Sequence, residues 1–365
     1  LGGATGPYEV LPVLAIEWTF LDPARGAAIR AAEAEVEGSR LLFDIAARDL
    51  VLELSSRYFD LQALLQLIES VEEIYRFTTW QVARSEALFN AGLRSIADVE
   101  QIRSEQLDQL EDLIAAHQEV VGLSAELAVA MGLPPGSLVL PDEPLATTPG
   151  WTLSLAETLQ QAEALREEIR VSRARATSAS WQATAQLRRN WPSLSLTAVG
   201  GISREARSDA DDATRPARVD GAVGIGFEWL IFDGGLHAAE ANVSRAEAER
   251  MEAEAARQRL VVGSEVMRAH ARYESSRLAI ESGQARVEST RAALRALEAR
   301  YELGYTEITS VLQGLQLAVG AARDHIEAIR NHNTAVASLY RHSAEWPEQV
   351  LPLLEARRAD LRDRP

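Results

Sequence analysis

Two stretches of this chain can only be very long helices, and they rule out a compact globular fold. Pro23 to Asn90 and Gly234 to Leu303, 68 and 70 residues, contain no proline after the first position and are dominated by Ala, Leu, Glu and Arg. At 1.5 Å per residue such a helix is roughly 100 Å long. An ordinary helix of a compact domain runs about 8–20 residues. The apolar spacing is coiled-coil-like, with Leu41, Ile45 and Leu52 in one stretch and Leu278, Val287, Leu294 and Leu297 in the other.

The two stretches are copies. Glu17-Trp18 and Asp22 recur as Glu228-Trp229 and Asp233, 211 positions on. Glu86-Ala87-Leu88-Phe89 with Gly92, Ile96 and Val99 recurs as Glu298-Ala299-Arg300-Tyr301 with Gly304, Ile308 and Val311, 212 positions on. That period is far beyond a solenoid unit and marks a duplicated half-protein. Asp22-Pro23 and Asp233-Gly234 open the long helices, and Gly92 and Gly304 close them. Ser95 and Thr306 start return helices to about Met131 and Ala344. The organisation is a first repeat over 1–133, a Pro-rich connector over 134–152, a second repeat over 153–346 and a tail over 347–365. In the second repeat a helix spans 153–189.

Before each long helix lies an alternating segment. Tyr8, Val10, Pro12, Leu14, Ile16, Trp18 and Phe20 share one face over 8–20, with Glu9, Glu17 and Thr19 opposite. Val219, Val223, Ile225, Phe227, Trp229 and Ile231 do the same over 219–232, with Asp220 and Glu228 opposite. A third strand covers 193–202, and the polar 204–218 segment joins the last two. Period two means strands. Either a soluble sheet on a core or a membrane barrel, apolar outside and polar inside, suits them. The ring of aromatics at their ends (Trp18, Phe20, Trp191, Phe227, Trp229, Phe232) suits an interfacial girdle. Three or four strands cannot close a barrel alone, so closure requires several protomers.

Composition narrows the function. All 37 basic residues are Arg, and the net charge of −17 argues against a nucleic-acid partner. There is no Cys, hence no disulfide or thiolate site. No unbroken apolar run of about 18 residues occurs, so no transmembrane helix is expected. The chain opens on Leu1, neither a Met nor the start of a charged leader, so an N-terminal piece is expected to have been removed or left out. The six His are scattered; His325 and His332, seven apart on one helix, lack further convergent ligands. No catalytic constellation is present, and no enzyme activity, cofactor or metal is expected.

Phe232-Asp233-Gly234-Gly235 at the strand–helix junction, and the turns Asn90-Ala91-Gly92-Leu93-Arg94-Ser95 and Leu303-Gly304-Tyr305-Thr306, carry a resemblance. From about Tyr8 to Ala344 the chain resembles the TolC-like outer-membrane factor family of efflux and type I secretion systems. The resemblance implies a mainly α fold with a membrane β-barrel portion. Three protomers share a 12-stranded barrel, four strands each, in the outer membrane, and long helical hairpins form a trimeric α-barrel tunnel through the periplasm. On that pattern some 40–50 residues are missing before Tyr8. The implied partners are a homotrimer, outer-membrane lipid, a periplasmic adaptor (membrane fusion) protein and an inner-membrane pump of RND, ABC or MFS type. A soluble periplasmic coiled-coil scaffold or adaptor is the alternative.

The resemblance also implies sites. Asn90, Gly92, Leu93, Arg94 and Ser95, with Leu303, Gly304, Tyr305 and Thr306, fall at adaptor-docking hairpin tips, although the glycines can serve simply to close the turns. Asp98 and Tyr301 match members of a network that keeps the tunnel shut, and predict a hydrogen bond between them. The chain departs from the family at Thr306, where relatives carry a basic latch residue, and at Ser310 and Gln313, where they carry a ring of acids. Glu307, Glu100 or Asp98 are then left to supply charge at the gate. Glu9, Glu17, Asp220 and Glu228 are the lumen-facing candidates of the barrel.

Overall fold

The structure, a computed structural model, describes residues 13–203, 218–347 and 350–352. Tyr8, Glu9 and Val10 of the first predicted strand, the 204–217 linker and most of the tail lie outside them. The elements run β1 (Val13–Leu21), α1 (Arg25–Asn90), α2 (Ile96–Ala130), α3 (Leu155–Leu165), α4 (Glu167–Arg188), β2 (Ser193–Ser203), β3 (Arg218–Glu228), α5 (Leu236–Glu302) and α6 (Ile308–Ser343). The 66 and 67 residues of α1 and α5 match the long helices expected. Each begins three residues after an Asp that caps it. The Asp22 carboxylate accepts from the Ala24 N–H at 2.9 Å, and Asp233 accepts from Gly235 and His237 at 2.9 and 2.7 Å.

By contacts the chain forms two compact units. One comprises residues up to Leu41 and Arg170–Gln258; the other comprises Leu42–Ile169 and Arg259 onward. Each draws on both sequence repeats.

The first unit holds the sheet, ordered β1-β2-β3 and antiparallel throughout. Cross-strand partners share a face. Trp18, Leu196 and Ile225 align in one row, and Ile16, Ala198 and Val223 in the next. The opposite face carries Glu17 beside Thr197, Thr19 beside Ser195, and Glu228 beside Ser193. One side is therefore apolar and the other polar or small. Among the described residues the sheet has three strands, against the four per protomer that the resemblance implies. β3 is shorter than expected and stops at Glu228, opposite Ser193. The next partner would be Pro192, which has no N–H to donate. Below the sheet, α1, α4 and α5 pack through alanines, with Ala27, Ala31, Ala179, Ala183 and Ala241 all buried. The Arg30 guanidinium lies over the Trp181 ring at 4.5 Å.

The second unit contains both hairpins. Antiparallel packing of α1 on α2 is marked by Thr78, which donates to Gln109 at 2.7 Å, and by a cluster of Ile68, Val71 and Leu113. α5 and α6 are held by Ala269, Tyr273, Val336 and Leu339, then by the close approach of Gly283 to His325. The connector between the repeats is gripped by side chains from four helices. Ser124 of α2 both donates to and accepts from the Val139 backbone, each at 2.8 Å. Gln62 of α1 donates to Glu143 O at 3.0 Å. Asn333 of α6 donates to Ala146 O at 2.8 Å and accepts from the Thr148 N–H at 2.9 Å. The Trp151 indole donates to Thr158 of α3 at 2.9 Å.

Three expectations need correction. The helix over 153–189 is two helices, broken at Arg166, whose backbone (φ −56°, ψ 122°) leaves helical geometry while its side chain is buried in an ion-pair network. The second return helix starts at Ile308, with Glu307 rather than Thr306 in the capping position. A helix long and apolar enough to cross a membrane does exist by length and composition: α2. Its second half, from Ile114 on, carries only two charges, Glu119 and Glu126. Part of that apolar surface has internal partners, since Leu113, Leu127 and Ala128 are buried, while Ile114, Val121 and Val129 face outward.

Candidate functional site: the two hairpin tips

Both tips are built on the same stop. At the end of α1 the Gly92 N–H donates to Phe89 O at 2.8 Å and the Leu93 N–H to Leu88 O at 2.9 Å. At the end of α5 the Gly304 N–H donates to Tyr301 O at 3.0 Å and the Tyr305 N–H to Arg300 O at 2.9 Å. This pair of bonds requires a left-handed residue at the turn. Gly92 and Gly304 supply it with φ of 75° and 77°.

The restarts differ. Ser95 caps α2: its hydroxyl accepts from the Asp98 N–H at 3.2 Å and the Asp98 carboxylate accepts from the Ser95 N–H at 3.4 Å. This reciprocal box satisfies two N–H groups that would otherwise lack partners. Glu307 at the start of α6 makes no side-chain cap.

The tips meet through a shared core of Val82, Ile102, Tyr301, Ile308 and Val311, one or more from each of the four long helices. Arg94 crosses between them. Its guanidinium lies 4.2 Å over the Tyr301 ring and donates to Tyr301 O at 3.0 Å. That carbonyl is among the last of α5, where the helix dipole favours a cation. Arg84 of α1 pairs with Glu302 at 2.7 Å and rests over Trp80. Arg103 pairs with both Glu86 and Glu100. At the matching place in the second hairpin, Glu298 forms no ion pair with an arginine among the described residues, although the Arg295 charge acts on it. Burial, and then the neighbouring Glu302, push its carboxyl up from the usual range.

The predicted residues therefore separate. Leu93, Leu303 and Tyr305 are 70–72% exposed and crown the tips, with Asn90, Gly92, Ser95 and Gly304 exposed beside them. Arg94 is half-buried and committed to the other tip, a role that sequence alone did not assign. A cation placed beside a helix-ending Gly was the available signal. The Asp98–Tyr301 hydrogen bond is not formed. Asp98 sits at the third position of α2 and its carboxylate closes the cap, while the Tyr301 hydroxyl is buried with no hydrogen-bond partner among the described residues. Ser310 is half-buried, Thr306 likewise, and Gln313 is exposed. The aromatic set lies in the first unit, and Trp18, Phe20, Trp191, Phe227, Trp229 and Phe232 are all exposed. His325 and His332 do not converge: one lies against Gly283, the other against Tyr273 and Ser276. Among the described residues no cluster of His and acids could hold a metal.

The family profile described as outer membrane efflux protein matches residues 13–133 and 158–344. The chain belongs to the outer membrane efflux protein family. Protein CyaE of Bordetella pertussis is 26% identical over 334 residues, covering 89% of this chain and 68% of that protein. The outer membrane protein VceC of Vibrio cholerae superposes with a TM-score of 0.76 at 18% identity, covering 92% of this chain and 79% of that one. The CmeC outer membrane channel of Campylobacter jejuni gives 0.75 at 15% identity, over 94% and 73%. The open state of the MtrE outer membrane channel of Neisseria gonorrhoeae gives 0.73 at 16%, over 92% and 79%. At these identities the likeness is one of fold. It is the fold of outer-membrane channels.

Proposed function

We propose that this efflux-family chain is one protomer of a homotrimeric exit duct. It would pass substrates from a periplasmic adaptor and an inner-membrane pump of RND, ABC or MFS type through periplasm and outer membrane. The observation that carries this reading is the sheet. Val219, Val223, Ile225 and Phe227 of β3 are 66–79% exposed, and so are Leu14, Ile16 and Trp18 of β1 at 58–69%. A soluble scaffold leaves such a face uncovered at high cost, whereas lipid covers it. Lipid in turn forbids open strand edges, and β1 and β3 are both edges here. Other copies of the chain satisfy them, and a 12-stranded barrel needs one further strand from each protomer. Glu17 and Glu228 then face the lumen, and the aromatic set marks the membrane boundaries.

In this reading the repeats over 1–133 and 153–346 supply six quasi-equivalent hairpins per trimer. Their tips are the periplasmic mouth, and Leu93, Leu303 and Tyr305 are the adaptor-facing surface. The gate is read as Arg94 on Tyr301, with Asp98 acting through the cap. Residues 1–365 contain no Cys, so each single-cysteine variant adds the one thiol of this stretch. Leu93→Cys and Tyr305→Cys should cross-link to the adaptor in intact cells, and an exposed mid-helix control such as Leu260→Cys should not. Purified protein should insert into planar bilayers as a trimer with stepwise conductance. A monomer that stays soluble without detergent and conducts nothing would sink the reading.

A further inference from the structure

We propose that the junction between α3 and α4 is an acid-released joint, in which the Arg166 guanidinium holds the imidazole of His342 only while that ring is uncharged. The proposal rests on side chains within the second unit and stands apart from the channel reading.

Arg166 interrupts the helix, and its side chain is 3% exposed. Its Nε and Nη2 donate to the two oxygens of Glu168 on α4, each at 2.8 Å. Nη2 also donates to Glu265 of α5 at 2.8 Å, and Nη1 donates to Nδ1 of His342 on α6 at 3.0 Å. One side chain thus ties the break to three helices. A guanidinium has no acceptor, so the His342 Nδ1 facing it must be the bare nitrogen and the ring neutral.

The charges around His342 come from every neighbouring element. Glu265 on α5 stands 3.6 Å from the same Nδ1. Glu168 on α4 receives Arg341 of α6 at 2.6 Å, and Arg341 also reaches Asp49 of α1 at 2.6 Å. Arg48 of α1 pairs with Glu167 at 2.9 Å and donates to Glu345 O at 2.8 Å. A proton on Nδ1 would set two donors face to face. The ring must then turn from Arg166 toward Glu265, drawing that carboxylate off the guanidinium and opening the α5 and α6 sides of the joint together.

Burial first, and then the Arg166 charge, lower the His342 pKa to about 4 from 6.5. A group depressed in this way binds its proton first in the opened state. Its contribution is complete above pH 6.5 and is lost as pH falls from 6.5 toward 4. Burial alone would raise Glu168, but Arg166 and Arg341 outweigh it and hold it down to about 2 from 4.5. Its contribution is lost only below pH 4.5, so the two windows separate.

Hydrogen exchange of peptides covering 161–170 in the full chain, corrected for intrinsic rates, tests this at pH 7 and pH 5. The wild type should lose roughly tenfold in protection there. His342→Gln, which keeps an acceptor for Arg166 and cannot titrate in this range, should lose almost none. His332→Gln, which removes the other buried imidazole, should behave as wild type. Equal acid loss in wild type and H342Q, or no loss in wild type, overturns the proposal. Should H342Q not fold, the wild-type profile decides: loss beginning only below pH 4.5 belongs to Glu168 and overturns it equally.

Discussion

The two hairpin tips share their stop and differ in almost everything after it. Gly92 and Gly304 take the same left-handed conformation and close the same pair of hydrogen bonds. Beyond them, one tip has a capping box, an arginine reaching outward and an ion-paired glutamate. The other has a helix start without a side-chain cap, a buried aromatic that receives the arginine and a glutamate whose carboxyl burial and Glu302 push up. The two tips share what the backbone demands, while their side chains differ as donor and receiver. The asymmetry locks two similar hairpins to each other, which identical copies could not do in the same way.

The largest test of that difference is the aromatic at the matched positions. Tyr301 is 6% exposed in the shared core, whereas Phe89 is 39% exposed. Tyr301→Ala should lower the opening free energy of the tips by about 3 kcal/mol, and Phe89→Ala by about 1 or less. Hydrogen exchange of tip peptides measures both, and equal losses would erase the distinction between receiver and spectator.

Next come the restarts. Ser95→Ala should cost about 1 kcal/mol through loss of the cap, while Glu307→Ala should cost close to nothing. Glu307→Ser should gain a few tenths to about 1 kcal/mol by installing what the second tip lacks. Thermal unfolding resolves these, and a neutral Ser95→Ala would show that the box contributes nothing.

Arg94→Met should cost about 1 kcal/mol, the sum of a partly exposed cation–π contact and one hydrogen bond. Thr306→Val, at the matching place, should be neutral. In planar bilayers the same Arg94 variant should raise conductance on the gate reading; unchanged current would restrict Arg94 to stability. The smallest effect concerns the glutamates. Glu298, whose carboxyl is pushed up, binds a proton more readily folded than unfolded, so its contribution falls as pH rises from 4.5. Glu298→Gln should therefore stabilise slightly at pH 7, by a few tenths of a kcal/mol at this half-exposed site. Glu86→Gln should destabilise by a similar amount, since Glu86 loses Arg103.

How much of this was legible depended on whether the determinant was local. The glycine stops, the Asp caps and the Ser95 start depend on a residue and its next few neighbours, and the sequence displays them. The long helices reflect the absence of breakers. The break at Arg166 was not legible. Nothing in Leu165-Arg166-Glu167 forbids a helix, and the guanidinium leaves it for Glu265 and His342, distant in the chain. The Asp98–Tyr301 pairing failed for the opposite reason: a local cap had the first claim on the carboxylate. Arg94 was placed at the right tip, but its partner lies 207 residues away. β3 ends early where its next partner would be Pro192, the residue before β2, which no reading of β3 alone contains.

The grips on the connector have a consequence for how this segment can vary. Ser124, Gln62 and Asn333 all take hold of backbone atoms, and only at Thr148, whose hydroxyl also donates to Asn333 at 3.1 Å, does a clasp read a side chain. Apart from Thr148 and Leu145, which is buried against Ala63 and Ile326, the side chains along this segment can be exchanged while the path stays the same. What cannot change is the count of residues from Val139 to Thr148, since one insertion would carry every later peptide group past its clasp. The connector is specified as a length rather than as a text.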